Sequence, residues 1–127
     1  MLSGGYHVSG LWPPFAAVVR DYLTPWTEYY GLRGTIVSGF RSFDEQAAKY
    51  RIGRTPLEVL HRVRKQGRNG AVTDAGPGES AHNYGLAIDV EGPDQSAIVQ
   101  LGAAMGFGTV SWDPAHLEWP NWRSLLG

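Results

Sequence analysis

Four residues in the second half of the chain have the types and spacing that metal-assisted hydrolysis needs: His82, Asp89, Asp113 and His116. In Ser80-Ala81-His82-Asn83-Tyr84-Gly85-Leu86-Ala87-Ile88-Asp89, an imidazole on a loop and a carboxylate on the following strand converge if Gly85 lets the chain turn sharply between them. Asp113-Pro114-Ala115-His116 supplies a second imidazole, with Pro114 stiffening its approach. Hydrolytic zinc sites commonly use three protein ligands and keep one position for water. His82, Asp89 and His116 fill that set, and Asp113 is left over. Bound zinc lowers the pKa of its water to about 7. A carboxylate beside that water can take its proton and pass it to the leaving amine, which makes Asp113 the expected general base and acid. The oxygen of a tetrahedral intermediate also needs a charged donor, and Arg41, at a strand-to-helix junction, has the guanidinium for it.

Each of these residues also has a plainer use. His82 beside Asp89 would alone read as a hydrogen-bonded pair, and only the second motif turns the reading toward zinc. Asp113 suits a turn before Pro114, and Arg41 suits a surface pair with Asp44 or Glu45. Ser80 either holds a ligand or substrate group through its hydroxyl or makes a loop turn. Glu118, two residues past His116 on a strand, faces the same way and either orients a ligand or forms an exposed ion pair. Tyr84 and Trp112 are cleft-lining or core aromatics. His7 falls in a segment expected to be loose, and His61 lies among Arg62, Arg64 and Lys65, where another cation is disfavoured.

The elements that must position these side chains are short. Residues 34–40 are β-branched and bounded by glycine, which predicts a buried strand. Ser42-Phe43-Asp44-Glu45 predicts a capping box opening a helix over 43–51. Further helices are expected from Pro13 onward, with Pro25 kinking or ending the first part. In that region Phe15, Val18, Val19, Tyr22, Leu23, Trp26, Tyr29 and Tyr30 build the core. A short helix is expected over 56–66, and another is capped by Asp94 and stopped at Gly106. Strands are expected over 86–90 and within 112–122, with a terminal helical turn over 123–126. Helices mixed with a few strands give an α+β fold with a small antiparallel sheet.

The chain of 127 residues is long enough for one core, so a single domain over 1–127 is expected. Its 11 basic residues nearly balance 12 acidic ones without clustering, which argues against nucleic acid as a partner. With no cysteine, a metal must be held by His, Asp or Glu. No signal-peptide pattern and no membrane span is visible.

Ser80-x-His82-x-x-Gly85-x-Ala87-x-Asp89 followed by Asp113-x-x-His116 resembles the signature of the LAS-type zinc metallopeptidases. The resemblance runs from Val37 to Glu118. Together with Ser38-Gly39-Phe40-Arg41-Ser42, Gln46 and Gly53-Arg54-Thr55 it is closest to the branch of L-alanyl-D-glutamate endopeptidases and phage endolysins. It implies a fold shared with the Hedgehog signalling domain and the D,D-peptidases, and zinc (Zn2+) on His82, Asp89 and His116. Asp113 and Arg41 are then catalytic, and Gln46 joins Ser80 and Tyr84 as a substrate-binding candidate. The implied partner is the stem peptide of bacterial peptidoglycan, met by a monomer at the cell wall. A phage lysin, a phage-particle component or a trimmed domain of an exported protein would fit. A D-alanyl-D-alanine carboxypeptidase is the enzyme alternative, with Arg54, Arg68 or Arg123 gripping a terminal carboxylate. A noncatalytic zinc-containing wall-binding module is the other. Residues 106–112 form a shorter stretch, and 56–70 a longer one, than such endopeptidases usually carry.

Overall fold

The fold is a computed structural model describing residues 1–65 and 67–127. It opens with a two-residue strand, β1 (Leu2–Ser3), and a 3-10 turn over Gly5–Gly10. The N-terminus is therefore held rather than loose: Leu2 is buried and pairs in parallel with Gly34, and Val8 packs on the core.

Two prolines start α1 (Pro13–Val18), where the first-turn amides have no helical partner to lose. Pro25 falls in the first turn of α2, and the helical run continues past it. A π turn over Val19–Leu23 joins α1 to α2 (Thr24–Tyr29), and the backbone N–H and Oγ1 of Thr24 both donate to the Val19 carbonyl, the latter at 2.8 Å. The wider turn is closed just before the position where proline has no N–H to give. Phe15, Val19 and Leu23 form the buried stripe, whereas Tyr22, Trp26, Tyr29 and Tyr30 are exposed, contrary to the expectation that all of them build the core. The sheet covers one face of the helical run, so the aromatics on its other face stay outside.

Strand β2 (Gly34–Ser38) leads into α3 (Phe43–Arg51), opened by the expected capping box: Glu45 N–H donates to Ser42 Oγ and Ser42 N–H to Glu45 Oε1, both at 3.1 Å. Thr55 and Glu58 repeat the box at α4 (Pro56–Leu60), but that helix is five residues long. The helix expected over 56–66 stops early because Arg62 adopts φ 57° and the Lys65 N–H is captured by Asp74 at 2.8 Å; Gln66 lies outside the described residues. Strand β3 (Ala87–Glu91) is followed by α5 (Gln95–Ala104). Asp94 stands at the N-cap of α5, yet its carboxylate accepts from Arg33 N–H at 2.7 Å and caps nothing. The chain ends through β4 (Gly108–Val110), β5 (Asp113–Glu118) and a 3-10 turn over Trp122–Leu126.

Among the described residues five strands lie in the order β1-β2-β3-β5-β4, antiparallel except for β1 with β2. The architecture is α+β. Phe15, Val19, Leu23, Ile36, Ile88, Val90, Ile98 and Leu117 fill the space between the helices and one sheet face. Because side chains alternate along a strand, burying Ile88, Val90 and Leu117 turns Asp89, Glu91 and His116 to the opposite face. Among the described residues no helix is long and apolar enough to cross a membrane.

Candidate metal centre

Strand pairing brings two of the predicted ligands together. Asp89 on β3 is directly opposite His116 on β5, and on its other flank it faces Ser38 of β2. The second pairing depends on a bulge: Ile36 pairs with Val90 but Ser38 with Asp89, so Val37 is the extra residue that swings the end of β2 toward the site. The third predicted ligand, His82, comes from a 3-10 turn over Ala81–Tyr84, whose start is fixed by Ser80 Oγ accepting from the His82 N–H at 3.3 Å. Gly85 ends this turn at φ 69°, and a Cβ there would lie 2.7 Å from the Trp12 backbone nitrogen. Only glycine satisfies both the backbone angle and the close approach.

His82 Nε2 lies 3.3 Å from Asp89 Oδ2, and His116 Nδ1 lies 3.4 Å from Asp89 Oδ1. One donor atom from each of the three residues falls within 4.8 Å of the others, a grouping that could hold a metal ion. The remaining ring nitrogens are engaged from behind: His82 Nδ1 with the Gly39 carbonyl and His116 Nε2 with Glu118 Oε1, each at 2.7 Å. Such bonds fix the tautomer and leave the inner nitrogens as lone-pair donors. Asp89 Oδ1 is buried and accepts no hydrogen bond. A buried carboxylate oxygen without a donor, flanked by two oriented imidazoles, fits a divalent cation of zinc type.

Without a metal the groups hold one another in their charged forms. Burial pushes the Asp89 pKa up, but the adjacent His116 and His82 imidazoles outweigh it and hold the carboxyl well below the usual range. Burial pushes His116 down, but the Asp89 and Glu118 carboxylates beside it outweigh that and raise it to about 9. Glu118 is thus bonded to a ligand ring, not an exposed ion pair.

Of these side chains Asp89 lines a cleft of about 500 Å³, and the two imidazoles stand behind it. Arg41 borders it, held by Nη1 donating to Gln46 Oε1 (2.9 Å) and Nη2 to Ser38 Oγ (3.2 Å), with Nη2 3.8 Å from Asp89. The surface pairing with Asp44 or Glu45 is not made. Asp113 borders the cleft as well, and its Oδ1 accepts from Ala115 N–H at 3.1 Å, so it shapes the turn and faces the site at once.

Residues 21–118, most of the chain, match the family described as VanY: D-alanyl-D-alanine carboxypeptidase. The chain belongs to this family. It is also 49% identical over 59 residues to the peptidoglycan L-alanyl-D-glutamate endopeptidase CwlK of Bacillus subtilis (strain 168), a stretch that covers 46% of this chain and 29% of that protein.

The VanY-family chain uses the three substrate-binding candidates internally. Gln46 is fully buried, with Oε1 on Arg41 and Nε2 donating to the Ala75 carbonyl at 2.7 Å. Tyr84 donates its hydroxyl to the Gly78 carbonyl at 2.9 Å and packs against Phe43 and Trp122. Ser80 caps the His82 turn. None of the three is among the residues lining the cleft, because each polar group is already engaged by the backbone or by Arg41. Trp112 is 83% exposed. Sequence reasoning missed His7 and Lys49, which border the cleft, and the Gly39 carbonyl and Ser38 hydroxyl that hold His82 and Arg41. Backbone carbonyls leave no mark in a sequence, and the fold places Lys49 two helical turns beyond Arg41.

Gln46→Leu keeps the side chain's bulk but strands a guanidinium N–H and the Ala75 carbonyl. The expected result is a loss of about 1–3 kcal/mol in denaturant unfolding, together with a fall in turnover as Arg41 loses its setting.

Proposed function

We propose that these residues form one catalytic domain, a zinc-dependent peptidoglycan peptidase that cuts the L-alanyl-D-glutamate bond of stem peptides at the bacterial cell wall. The observation that carries this reading is the joint placement of Asp113 and Arg41 on the cleft that Asp89 also lines, with Asp89 grouped with His82 and His116. Membership of the VanY family supports a peptidase, and the partial likeness to CwlK favours the endopeptidase bond. Because the match covers 29% of CwlK, substrate and partners are proposed for this domain on its own geometry. A monomer and the Hedgehog-like relationship of the fold belong to the same proposal.

Zinc held by His82, Asp89 and His116 would supply Lewis acidity at the scissile carbonyl and acidify the attacking water. Asp113 takes the proton from that water and delivers it to the leaving nitrogen, so one carboxylate serves both halves of the reaction. Arg41, immobilised by Gln46 and Ser38, donates to the oxygen that gains charge, and its fixed geometry avoids reorganisation when that charge appears. Glu118 and the Gly39 carbonyl keep the two imidazoles aimed.

The carboxypeptidase alternative loses its expected grips. Arg54 is fully buried and donates to the Tyr50 and Thr73 carbonyls and to Asp74, and Arg123 stacks on Trp122 with its guanidinium carbon 4.5 Å from the ring centroid. Neither they nor Arg68 lines the cleft, where the lysine and arginine cations are Arg41 and Lys49. A noncatalytic module would use Asp113 only to shape the turn into β5, and leaves its place on the cleft without a purpose. Mass spectrometry of products from purified muropeptides tests the proposal. Cleavage after L-alanine is expected; free D-alanine would replace it with the carboxypeptidase, and zinc-loaded protein giving no product would leave a binding module.

A further inference from the structure

Among the described residues two buried side-chain atoms have no hydrogen-bond partner, Asp89 Oδ1 and His7 Nε2, and both residues border the same cleft. An orphaned buried polar atom is costly to leave unpaired and calls for an explanation in a ligand or a function. The metal accounts for Asp89. Nothing in the fold accounts for His7.

We infer that His7 is a substrate-anchoring residue, whose Nε2 hydrogen-bonds a peptide group of the bound stem peptide. The inference rests on the peptidase reading above. Residues 1–20 precede the segment matched to the VanY family, so His7 lies outside that match. The residue is firmly placed. A Cβ on Gly39 would lie 2.8 Å from the His7 carbonyl oxygen and 3.3 Å from its Cβ, so the two backbones touch only because residue 39 is glycine. Gly39 is the residue whose carbonyl holds His82. His7 thus lies one contact behind the ligand shell, with its ring bordering the space where a substrate's scissile bond must come.

The ring is covered, not spent. Tyr6, 78% exposed, lies over it with ring centroids 4.1 Å apart. An exposed side chain reorients in picoseconds to nanoseconds, so Tyr6 can turn aside as a ligand arrives, and Nε2 then gains the partner it lacks. The choice of a neutral peptide group follows from the surroundings. Glu91, Asp89 and Asp113 border the same cleft and repel a carboxylate, while a substrate carboxylate has Arg41 and Lys49 to go to.

Stem-peptide affinity, measured by calorimetry on zinc-loaded protein carrying Asp113→Asn to stop turnover, tests this. Adding His7→Phe should weaken the Kd about tenfold, the size of one lost hydrogen bond. Adding His7→Gln, whose amide nitrogen reaches the position of Nε2, should stay within about threefold of the parent. In the Asp113-containing protein, His7→Phe should raise KM with kcat nearly unchanged and zinc content unaltered. An unchanged Kd in the His7→Phe variant would overturn the inference, as would equal weakening by Phe and Gln with a fall in Tm, which marks a packing role. Wild-type protein that cleaves no stem peptide would instead sink the peptidase reading, a failure read in the products and not in these variants.

Discussion

Asp113→Asn should leave the protein folded and zinc-loaded while lowering kcat for stem-peptide hydrolysis by about 10²–10⁴-fold, the usual worth of a positioned general acid or base. The substitution is chosen for what it keeps. Asparagine retains an oxygen to accept from Ala115 N–H, the bond that Asp113 Oδ1 makes at 3.1 Å, so the turn into β5 and the position of His116 survive. What it removes is the basic oxygen that takes a proton from water. A turn residue without a catalytic part would tolerate the exchange, so activity within about tenfold of wild type would exclude Asp113 as the proton carrier. His82→Ala separates the two ways of losing activity. It takes away a ligand nitrogen held between Gly39 and Asp89, so zinc and hydrolysis should disappear together. Metal content by elemental analysis and turnover on the same samples decide between the outcomes.

The His-Asp-His grouping was legible in the sequence because its geometry is local or periodic. His82 and Gly85 share one turn, Asp89 and His116 lie on short strands whose apolar residues fix which face is buried, and period two then fixes where these side chains point. The capping box at Ser42 was legible for the same reason: three residues hold its whole chemistry. The supporting contacts were not. Gln46 reads as a polar residue on a helix, and only the tertiary placement of Arg41 and Ala75 makes it a buried brace. His7 follows no periodic pattern, and its place beside Gly39 depends on the parallel pairing of β1 with β2, a long-range contact between two-residue stretches. Arg54 looked like a free cation, yet its guanidinium is consumed by the Tyr50 and Thr73 carbonyls and Asp74. The exposed aromatics of α2 failed in the opposite direction. Spacing alone said that Trp26 and Tyr29 share a helix, but not that the sheet would lie against only one side of it.

Stripping zinc should abolish hydrolysis without unfolding the domain, and the stability gained on returning the metal should grow between pH 6.5 and 9. Without metal, Asp89 is braced by His82, His116 and Arg41, so the site does not fly apart. His116 carries the pH dependence. Its pKa rises from an ordinary 6.5 to about 9 in the fold, which means that the folded state holds a proton the unfolded chain has released. The stabilisation is complete below pH 6.5, on the order of 3 kcal/mol, and is lost as the pH climbs through 9. Asp89, held below its ordinary 3.8, is the same contact seen from the other partner: it contributes above that value and fades as acid protonates it, so the two are not added. Zinc, by contrast, binds only the neutral imidazole and must expel that proton, so its apparent affinity strengthens with pH up to about 9. Both trends widen the gap between the Tm of zinc-saturated and chelated protein as pH rises. Glu118→Gln removes one of the two negative charges that raise His116, and should move the transition of the chelated protein to lower pH. Thermal melts from pH 6 to 9, with excess chelator or excess zinc, measure both shifts. A gap that narrows with rising pH would mean that His116 does not bind the metal through a nitrogen that protons also claim.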